Sequence, residues 1–191
     1  TPLFTQESEV EEKKSKLKLF NTLTKKKEVF KPQKENEVTF YSCGPTAYEP
    51  ANLSLCRRFV VSDIIARYLE AKGMKVSSYM NFTDLDDNTI QGAENAGLPL
   101  KEFTEGYIDG FMKDMKALGV KEATGYPKAS ENVDTMVEIA HTLLHKGYAY
   151  EKHGSIYFDI SKFKNYGRLS GVDLSKIQLG RTVDLDNYEK D

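Results

Sequence analysis

Three oxygen-bearing side chains in the middle of the chain have the spacing of a calcium-binding loop. Asp84, Asp86 and Asn88 form the pattern D-x-D-x-N. An EF-hand needs glycine at its sixth position and glutamate at its twelfth, and this sequence has Thr89 and Asn95 there. The pattern therefore does not indicate a calcium site. A turn in which Asp84 caps a following helix accounts for these residues better.

Two of the three histidines, His141 and His145, lie four residues apart on a predicted helix. This is the spacing of a zinc-binding pair. A metalloprotease of that pattern has glutamate directly after the first histidine, where this chain has Thr142. The sequence therefore favours a histidine pair on the helix surface over a metal site.

Cysteine count and charge exclude several classes of protein. Two cysteines, Cys43 and Cys56, are too few for a disulfide-bonded scaffold in a chain of 191 residues, so an intracellular protein is expected. Acidic residues outnumber basic ones by 29 to 27, so the chain lacks the strong positive charge typical of nucleic-acid-binding proteins. No apolar segment approaches the roughly 18 residues of a transmembrane helix.

The chain begins with Thr1, which a cleaved organellar presequence would explain, so the mitochondrial matrix and the cytoplasm are both candidate locations.

Alternating strand and helix patterns place the central residues in an α/β fold. Residues 38–42 are β-branched or aromatic and predict a strand that ends at Cys43. Helical spacing of apolar residues over 55–72, with a stop at Gly73, precedes a second strand at 75–81. Strand, helix and strand together predict a βαβ unit with a parallel sheet.

Weaker patterns predict the flanking elements. In chain order these are an extended segment at 18–24, a charged turn at 25–27, helices at 101–118 and 130–146, and paired strands at 148–150 and 155–160. The second of these helices has Ser130 as its expected N-cap. A turn at His153-Gly154 is expected to join the last two strands.

An ordered series of short motifs extends along nearly the whole chain. They are Phe20-Asn21-Thr22-Leu23-Thr24, Cys43-Gly44-Pro45-Thr46-Ala47-Tyr48, Asn81-Phe82-Thr83-Asp84-Leu85-Asp86-Asp87, Lys146-Gly147-Tyr148-Ala149-Tyr150 and Tyr166-Gly167-Arg168-Leu169-Ser170. The series resembles cysteine-tRNA ligases, which are class I aminoacyl-tRNA synthetases. The resemblance implies a Rossmann-like nucleotide-binding fold. It places the first half of the catalytic domain at 17–118 and a connective segment at 119–191, whereas the polar composition of residues 1–16 predicts an arm.

The resemblance also implies an amino-acid pocket. Its residues in this sequence would be Tyr41, Cys43, Gly44, Thr46 and Thr83. In the family, the cysteine of the Cys-Gly-Pro-Thr motif binds zinc, and the zinc binds the thiolate of substrate cysteine. Zinc prefers a soft thiolate to a hydroxyl, so the site rejects serine. Cys43 is thus a candidate zinc ligand, whereas Cys56, inside the following helix, is predicted to be a packing residue.

The ATP-binding motif of the family is altered in this chain. The family has His-Ile-Gly-His where this sequence has Asn52-Leu53-Ser54-Leu55. In the family, the glycine lets the adenine ring lie close to the backbone, and the histidines donate hydrogen bonds to the phosphates. Here Ser54 adds bulk and Leu55 cannot donate, although Asn52 keeps a donor. Loss of one such donor typically costs about 10²–10³ in rate. Residues 49–56 are still predicted to form a turn and the start of a helix.

The family's other zinc ligands and its Lys-Met-Ser-Lys-Ser loop align beyond the last residue of this sequence. Cys43 is then one ligand of a site that needs about four. We therefore expect no bound cofactor and no catalysis by the chain as given. Zinc, and ATP with magnesium, are expected only if the chain belongs to an active ligase.

Three functions are compatible with these observations, and whether the chain is an enzyme stays open. The altered motif favours a catalytically silent domain, repurposed as a structural or interaction subunit of a larger assembly of proteins, for which the mitochondrion is one candidate location. The alternative is a fragment of an active cysteine-tRNA ligase, which forms cysteinyl-adenylate and transfers cysteine to tRNA. The third is a related ATP-dependent ligase that joins cysteine to an amino sugar.

Overall fold

The computed structural model describes residues 17–172, and these fall into two units. The larger unit is Pro32–Lys162, and the smaller one comprises the described parts of Thr1–Lys31 and Phe163–Asp191. The predicted polar arm, and the predicted connective segment after residue 172, lie outside the described residues. The domain boundaries proposed from the sequence stay predictions.

The smaller unit contains a two-stranded antiparallel hairpin. β1 (Lys18–Asn21) pairs with β2 (Lys26–Val29), so the extended segment predicted at 18–24 is confirmed over its first four residues, and residues 22–25 form the turn. The predicted charged turn at 25–27 is wrong, because the turn ends at Lys25, whose φ of 56° is left-handed. The residues of β2 are all exposed, so their charged side chains stay in water while their backbone pairs with β1.

A βαβ arrangement forms the centre of the larger unit, as the sequence predicts. β3 (Glu37–Ser42) and β4 (Lys75–Met80) are parallel and paired over their full length. They are joined by α1 (Leu53–Ala71), and the left-handed Gly73 follows the end of this helix. The α/β fold class is therefore confirmed.

Two helices follow β4. The predicted helix at 101–118 is confirmed as α3 (Leu100–Ala117), but α2 (Asp87–Ala96) was not predicted. α2 begins with a capping box, in which the side chains of Asp86 and Thr89 each accept a hydrogen bond of 2.9 Å from the other's backbone N–H. The prediction that Asp84 caps this helix is therefore wrong.

The segment after α3 returns to the sheet. Residues 123–129 run parallel to β4, with bridges from Tyr79 to Gly125 and from Phe82 to Lys128. β4 therefore has backbone partners on both sides. β3 has no second strand beside it within residues 17–172.

The rest of the larger unit is a helix and a hairpin. α4 (Val133–His145) is followed by β5 (Ala149–Lys152), which pairs antiparallel with β6 (Ser155–Phe158). The predicted turn is confirmed, since His153 and Gly154 both have left-handed φ angles. None of the helices between residues 17 and 172 has the length and apolarity needed to span a bilayer.

Three phenylalanines hold the centre of this unit together. Phe59 of α1, Phe82 after β4 and Phe111 of α3 are each at most 4% exposed. The ring of Phe111 packs edge-on against the other two, with centroid distances of 5.0 Å and 5.7 Å. This aromatic core fixes the end of β4 relative to the first turns of α1.

A buried carboxylate connects the end of β4 to the segment that leads into α4. Asp84 is 5% exposed and accepts hydrogen bonds from the backbone N–H of Ser130 at 2.9 Å and from its hydroxyl at 2.5 Å. Ser130 begins a 3₁₀ turn, Ser130–Asn132, before α4. The prediction that Ser130 caps the helix is wrong, because α4 begins at Val133 and Asn132 occupies its N-cap position.

Replacing Asp84 with alanine is expected to lower the free energy of unfolding by about 2–3 kcal/mol, because two hydrogen bonds to a buried carboxylate are lost. Asp84→Asn keeps one acceptor oxygen and should lose less stability. The exposed Asp114 offers a control, and Asp114→Ala should change stability by no more than about 0.5 kcal/mol. Urea denaturation measures all three variants. Equal losses of stability for Asp84→Ala and Asp114→Ala would contradict a stabilising role for the hydrogen bonds between Asp84 and Ser130.

Candidate functional site

The predicted pocket residues lie where the two parallel strands end. Parallel strands place their carboxyl ends at one edge of a sheet, and ligands of α/β folds bind at that edge. Thr46, after β3, forms a parallel bridge with Thr83, after β4. The backbone of Thr83 donates to Pro45 O at 3.0 Å and accepts from Ala47 N at 2.9 Å. The structure thus places Thr46 and Thr83 side by side.

Asn81, the residue after β4, connects three further groups at this edge. Its Oδ1 accepts hydrogen bonds from the backbone N–H of Gly44 at 2.8 Å and from the hydroxyl of Tyr41 at 2.9 Å. Its Nδ2 donates to Oγ1 of Thr83 at 3.2 Å. Sequence reasoning did not include Asn81 in the pocket, although its position in the same motif as Thr83 was a usable signal.

The backbone at Gly44 passes very close to the backbone of Asn81. A Cβ atom built on Gly44 would lie 1.5 Å from the carbonyl oxygen of Asn81 and 2.7 Å from its carbonyl carbon. Backbone atoms cannot move aside as a flexible side chain can. Only glycine therefore fits here, and the close approach is what lets the amide of Asn81 reach the end of β3.

Arg58 of α1 holds the end of β3 from another direction. Its Nη2 donates to the carbonyl oxygen of Cys43 and lies 3.5 Å from that of Gly44. The guanidinium also lies 4.8 Å from the centroid of the Phe59 ring. No pattern in the sequence indicated this role, because it depends on where the second turn of α1 meets the strand.

The thiol of Cys43 is exposed at the same edge, so it could supply one metal ligand. Zinc needs about four ligands. Within residues 17–172, no three histidine, cysteine, aspartate or glutamate side chains lie close enough together to hold a metal. The described residues therefore do not complete a zinc site around Cys43. The separate pair His141 and His145 is exposed on α4, as the sequence favours.

The altered motif forms the first turn of α1, as predicted for residues 49–56. Asn52 is the N-cap, and its Oδ1 accepts a hydrogen bond of 3.0 Å from the backbone N–H of Leu55. Leu53 is 87% exposed and Ser54 is also exposed. Leu55 is half-buried against the aromatic core, as is Cys56, which agrees with the predicted packing role of this cysteine.

A cavity of the larger unit is not lined by Tyr41, Asn81 or Thr83. Its volume is about 570 Å³, and it lies between α1, α3 and one face of the sheet. Phe40 and Ser42 of β3 line it, whereas Tyr41, between them, is directed to the opposite face, as expected for a strand. The cavity therefore does not include the hydroxyl of Tyr41 or the amide of Asn81.

Comparison with known proteins identifies the family of the chain. A family model described as the tRNA synthetases class I (C) catalytic domain matches residues 29–191. "Cysteine--tRNA ligase" of Methanosarcina mazei is 48% identical over 175 residues, which are 92% of this chain and 37% of that protein. The protein of the same name from Pyrococcus furiosus is 47% identical over 174 residues, 91% of this chain and 36% of the relative. The chain thus spans little more than a third of the length of these curated relatives.

A solved structure has a related fold. It is a LeuRS of Agrobacterium radiobacter K84 in a ternary complex with tRNA and LeuAMS. The match has a TM-score of 0.54 and 21% sequence identity, and it covers 63% of this chain and 16% of that chain. At this identity, the likeness supports the fold and nothing finer.

Proposed function

Because the chain belongs to the class I (C) tRNA synthetase catalytic-domain family, we propose that it forms the amino-acid-binding part of a cysteine-tRNA ligase. The observation that carries this proposal is the hydrogen-bonded group around Asn81 at the carboxyl ends of two parallel strands. That group contains Tyr41, Gly44 and Thr83, which the family resemblance assigns to the amino-acid pocket.

In the proposed reaction, the carboxylate of cysteine attacks the α-phosphorus of ATP and pyrophosphate leaves. The cysteinyl group then passes from the adenylate to a hydroxyl of tRNA, and AMP leaves. The residues around Asn81 would hold the amino acid, and the magnesium complex of ATP would lie toward the first turn of α1. These assignments do not depend on zinc, whose ligand set the described residues do not complete.

The first turn of α1 has fewer phosphate donors than the family motif. The free backbone N–H groups of a helix start remain available to phosphate oxygens. The amide nitrogen of Asn52 also remains, since its oxygen is occupied by the cap. The side chains of Leu53 and Leu55 have no hydrogen-bond donor. We therefore expect a working but slow first step.

The proposal is tested by cysteine-dependent exchange between pyrophosphate and ATP, assayed on the complete gene product that contains these 191 residues. Exchange is expected with cysteine and not with alanine. The rate should lie about 10²–10³-fold below that of the Methanosarcina mazei relative, because a phosphate donor is lost. A folded protein that neither binds cysteine nor shows exchange would overturn the proposal.

The second candidate is the catalytically silent subunit that the sequence alone favours. One observation supports it, namely the replacement of both histidines and the glycine by Asn52, Ser54 and Leu55. The relatives described above are named as ligases and not as subunits of an assembly, so they give it no support. It predicts a folded protein with no exchange activity and a stable association with other protein subunits.

A further inference from the structure

The cavity between α1, α3 and the sheet extends toward the amino ends of the strands, the edge opposite to Thr46 and Thr83. Its wall includes residues 59–70 of α1 and residues 119–124, which lead into the segment beside β4. α1 runs away from the end of β3 and finishes just before β4 begins, so its later turns lie toward that edge. Ligands of α/β folds usually bind at the carboxyl ends of the strands. A ligand in this cavity would therefore occupy a different place from the proposed amino-acid pocket.

Aromatic rings and thioethers line the interior of the cavity. They belong to three aromatic residues, Phe40, Phe59 and Tyr126, and to three methionines, Met80, Met112 and Met115. Methionine sulfur makes favourable contacts with the edges of aromatic rings, and its flexible side chain adapts to their shape. The volume of about 570 Å³ is within the range of about 300–1,000 Å³ that small-molecule sites have. These walls favour a ligand with an aromatic body.

Two serine hydroxyls on the sheet are available for hydrogen bonds inside the cavity. Ser42 and Ser78 both line it, and neither hydroxyl has a hydrogen-bond partner within residues 17–172. Ser62 also lines the wall, but its hydroxyl already donates to the carbonyl oxygen of Arg58 at 3.1 Å. Ser78 lies inside β4, whereas Ser42 is the last residue of β3. Ser78 is therefore the polar group best placed to orient a ligand against the sheet.

The charged residues around the cavity are balanced in number. Four basic and four acidic residues line it. Arg67 is paired with Asp63, and Lys121 with Glu70, each at 2.7 Å. The other two lysines and two acids also cancel in charge. A charged ligand would lose its hydration here without meeting an excess of opposite charge, so the cavity favours an uncharged one.

We propose that this cavity is a second ligand site, which binds a small uncharged aromatic molecule that carries a hydroxyl or N–H group. The ring packs among the phenylalanine, tyrosine and methionine side chains, and the polar group forms a hydrogen bond with the hydroxyl of Ser78. The ligand contacts α1, α3 and the sheet at once, so its binding stabilises the fold. The site requires neither cysteine nor ATP, and the inference is therefore independent of the proposed ligase function.

Two naphthalene compounds test the predicted chemistry of the ligand. 2-Naphthol has an aromatic body and a hydroxyl that stays protonated at neutral pH, whereas 2-naphthoate has the same rings and a negative charge. Each is titrated into the complete gene product that contains these 191 residues, and the fluorescence of the naphthalene rings reports binding. 2-Naphthol should bind with a Kd below about 1 mM, and 2-naphthoate at least about tenfold more weakly. 2-Naphthol should also raise Tm as its concentration increases.

Variants at Ser78 place the bound probe in this cavity. Ser78→Ala removes only the hydroxyl and should weaken 2-naphthol by about 2- to 10-fold, the effect of one neutral hydrogen bond. Ser78→Leu also fills part of the cavity and should weaken it by more than about tenfold. Both variants keep the backbone hydrogen bond of 3.1 Å from Ser78 to Oγ1 of Thr124. Ser77→Ala is the matched control, because Ser77 is the neighbouring residue of β4 and does not line the cavity.

Three results would overturn the proposal. The first is a folded, unaltered protein that does not bind 2-naphthol. The second is unchanged binding in Ser78→Leu or, if that variant does not fold, in Ser78→Ala, because the probe would then lie elsewhere. The third is binding of 2-naphthoate as tight as that of 2-naphthol, which would contradict a site for uncharged ligands.

Discussion

Gly44→Ala is expected to destabilise the protein by about 3 kcal/mol or more, because the added methyl group would lie 1.5 Å from the carbonyl oxygen of Asn81. Relief requires the ends of β3 and β4 to move apart. That movement breaks the hydrogen bonds that Gly44 and Tyr41 donate to Asn81, so the proposed binding of cysteine should be lost as well. Urea denaturation and calorimetric titration with cysteine measure the two effects.

A matched control for this variant lies on α3. Gly106 lies midway along α3 and is exposed to solvent. A Cβ atom added there would meet nothing within 4 Å. Gly106→Ala should therefore raise stability by about 0.5–1 kcal/mol, since alanine is the better helix former. If Gly44→Ala had as small an effect as Gly106→Ala, the close approach of the two strand ends would not exist in solution.

The central α/β unit was predictable because each of its signals is local. Residues 38–42 and 75–81 have strand composition, the apolar spacing over 55–72 has the helical period, and Gly73 ends the helix. A helix between two strands leaves few arrangements other than a right-handed parallel crossover. The sequence and the structure agree on all three elements.

The missed elements have no comparable apolar pattern. The sequence of α2 is DNTIQGAENA, and its one large apolar residue, Ile90, is 40% exposed. The helix is stabilised by its capping box and by the packing of the buried Thr89 and Ala93, which a search for apolar periodicity does not detect. β2 is a charged strand without buried residues, so its pairing with β1 could not be inferred from hydrophobicity.

Periodicity alone can also suggest more burial than a helix achieves. Val133, Met136 and Val137 follow the spacing that predicts the helix at 130–146, and that helix forms. Yet no residue of α4 is buried by the described part of the chain, and Met136 is 49% exposed. The spacing therefore identified the element correctly without determining what covers it.

The resemblance indicated residues that the structure brings together, but not the geometry that connects them. Family resemblance supplied Tyr41, Gly44 and Thr83, and the structure connects these three through Asn81. Asn81 and Arg58 were missed because each forms hydrogen bonds with residues about 15 to 40 positions away in sequence. Contacts over such separations exist only after the parallel register of the strands is set.

The largest effect on catalysis is expected from restoring the family's ATP motif. In the complete gene product, Asn52→His, Ser54→Gly and Leu55→His together should raise the rate of cysteine-dependent exchange by about 10²-fold or more, since each restored phosphate donor is typically worth that much. The individual substitutions should affect different kinetic parameters. Ser54→Gly, at an exposed position, should lower KM for ATP, whereas Leu55→His should raise kcat.

The same triple variant should be less stable, and this separates an effect on chemistry from an effect on folding. Asn52→His removes the oxygen that caps α1, at a cost of about 1 kcal/mol, and Leu55→His places an imidazole where a half-buried leucine packs against the aromatic core. Ile64→Val is the control, because Ile64 lies on the same helix outside the motif and is 59% exposed, so its replacement should alter neither stability nor exchange. A triple variant that is folded, weaker in stability as expected and still without exchange would favour the silent subunit, because the missing donors would then not be what limits the reaction.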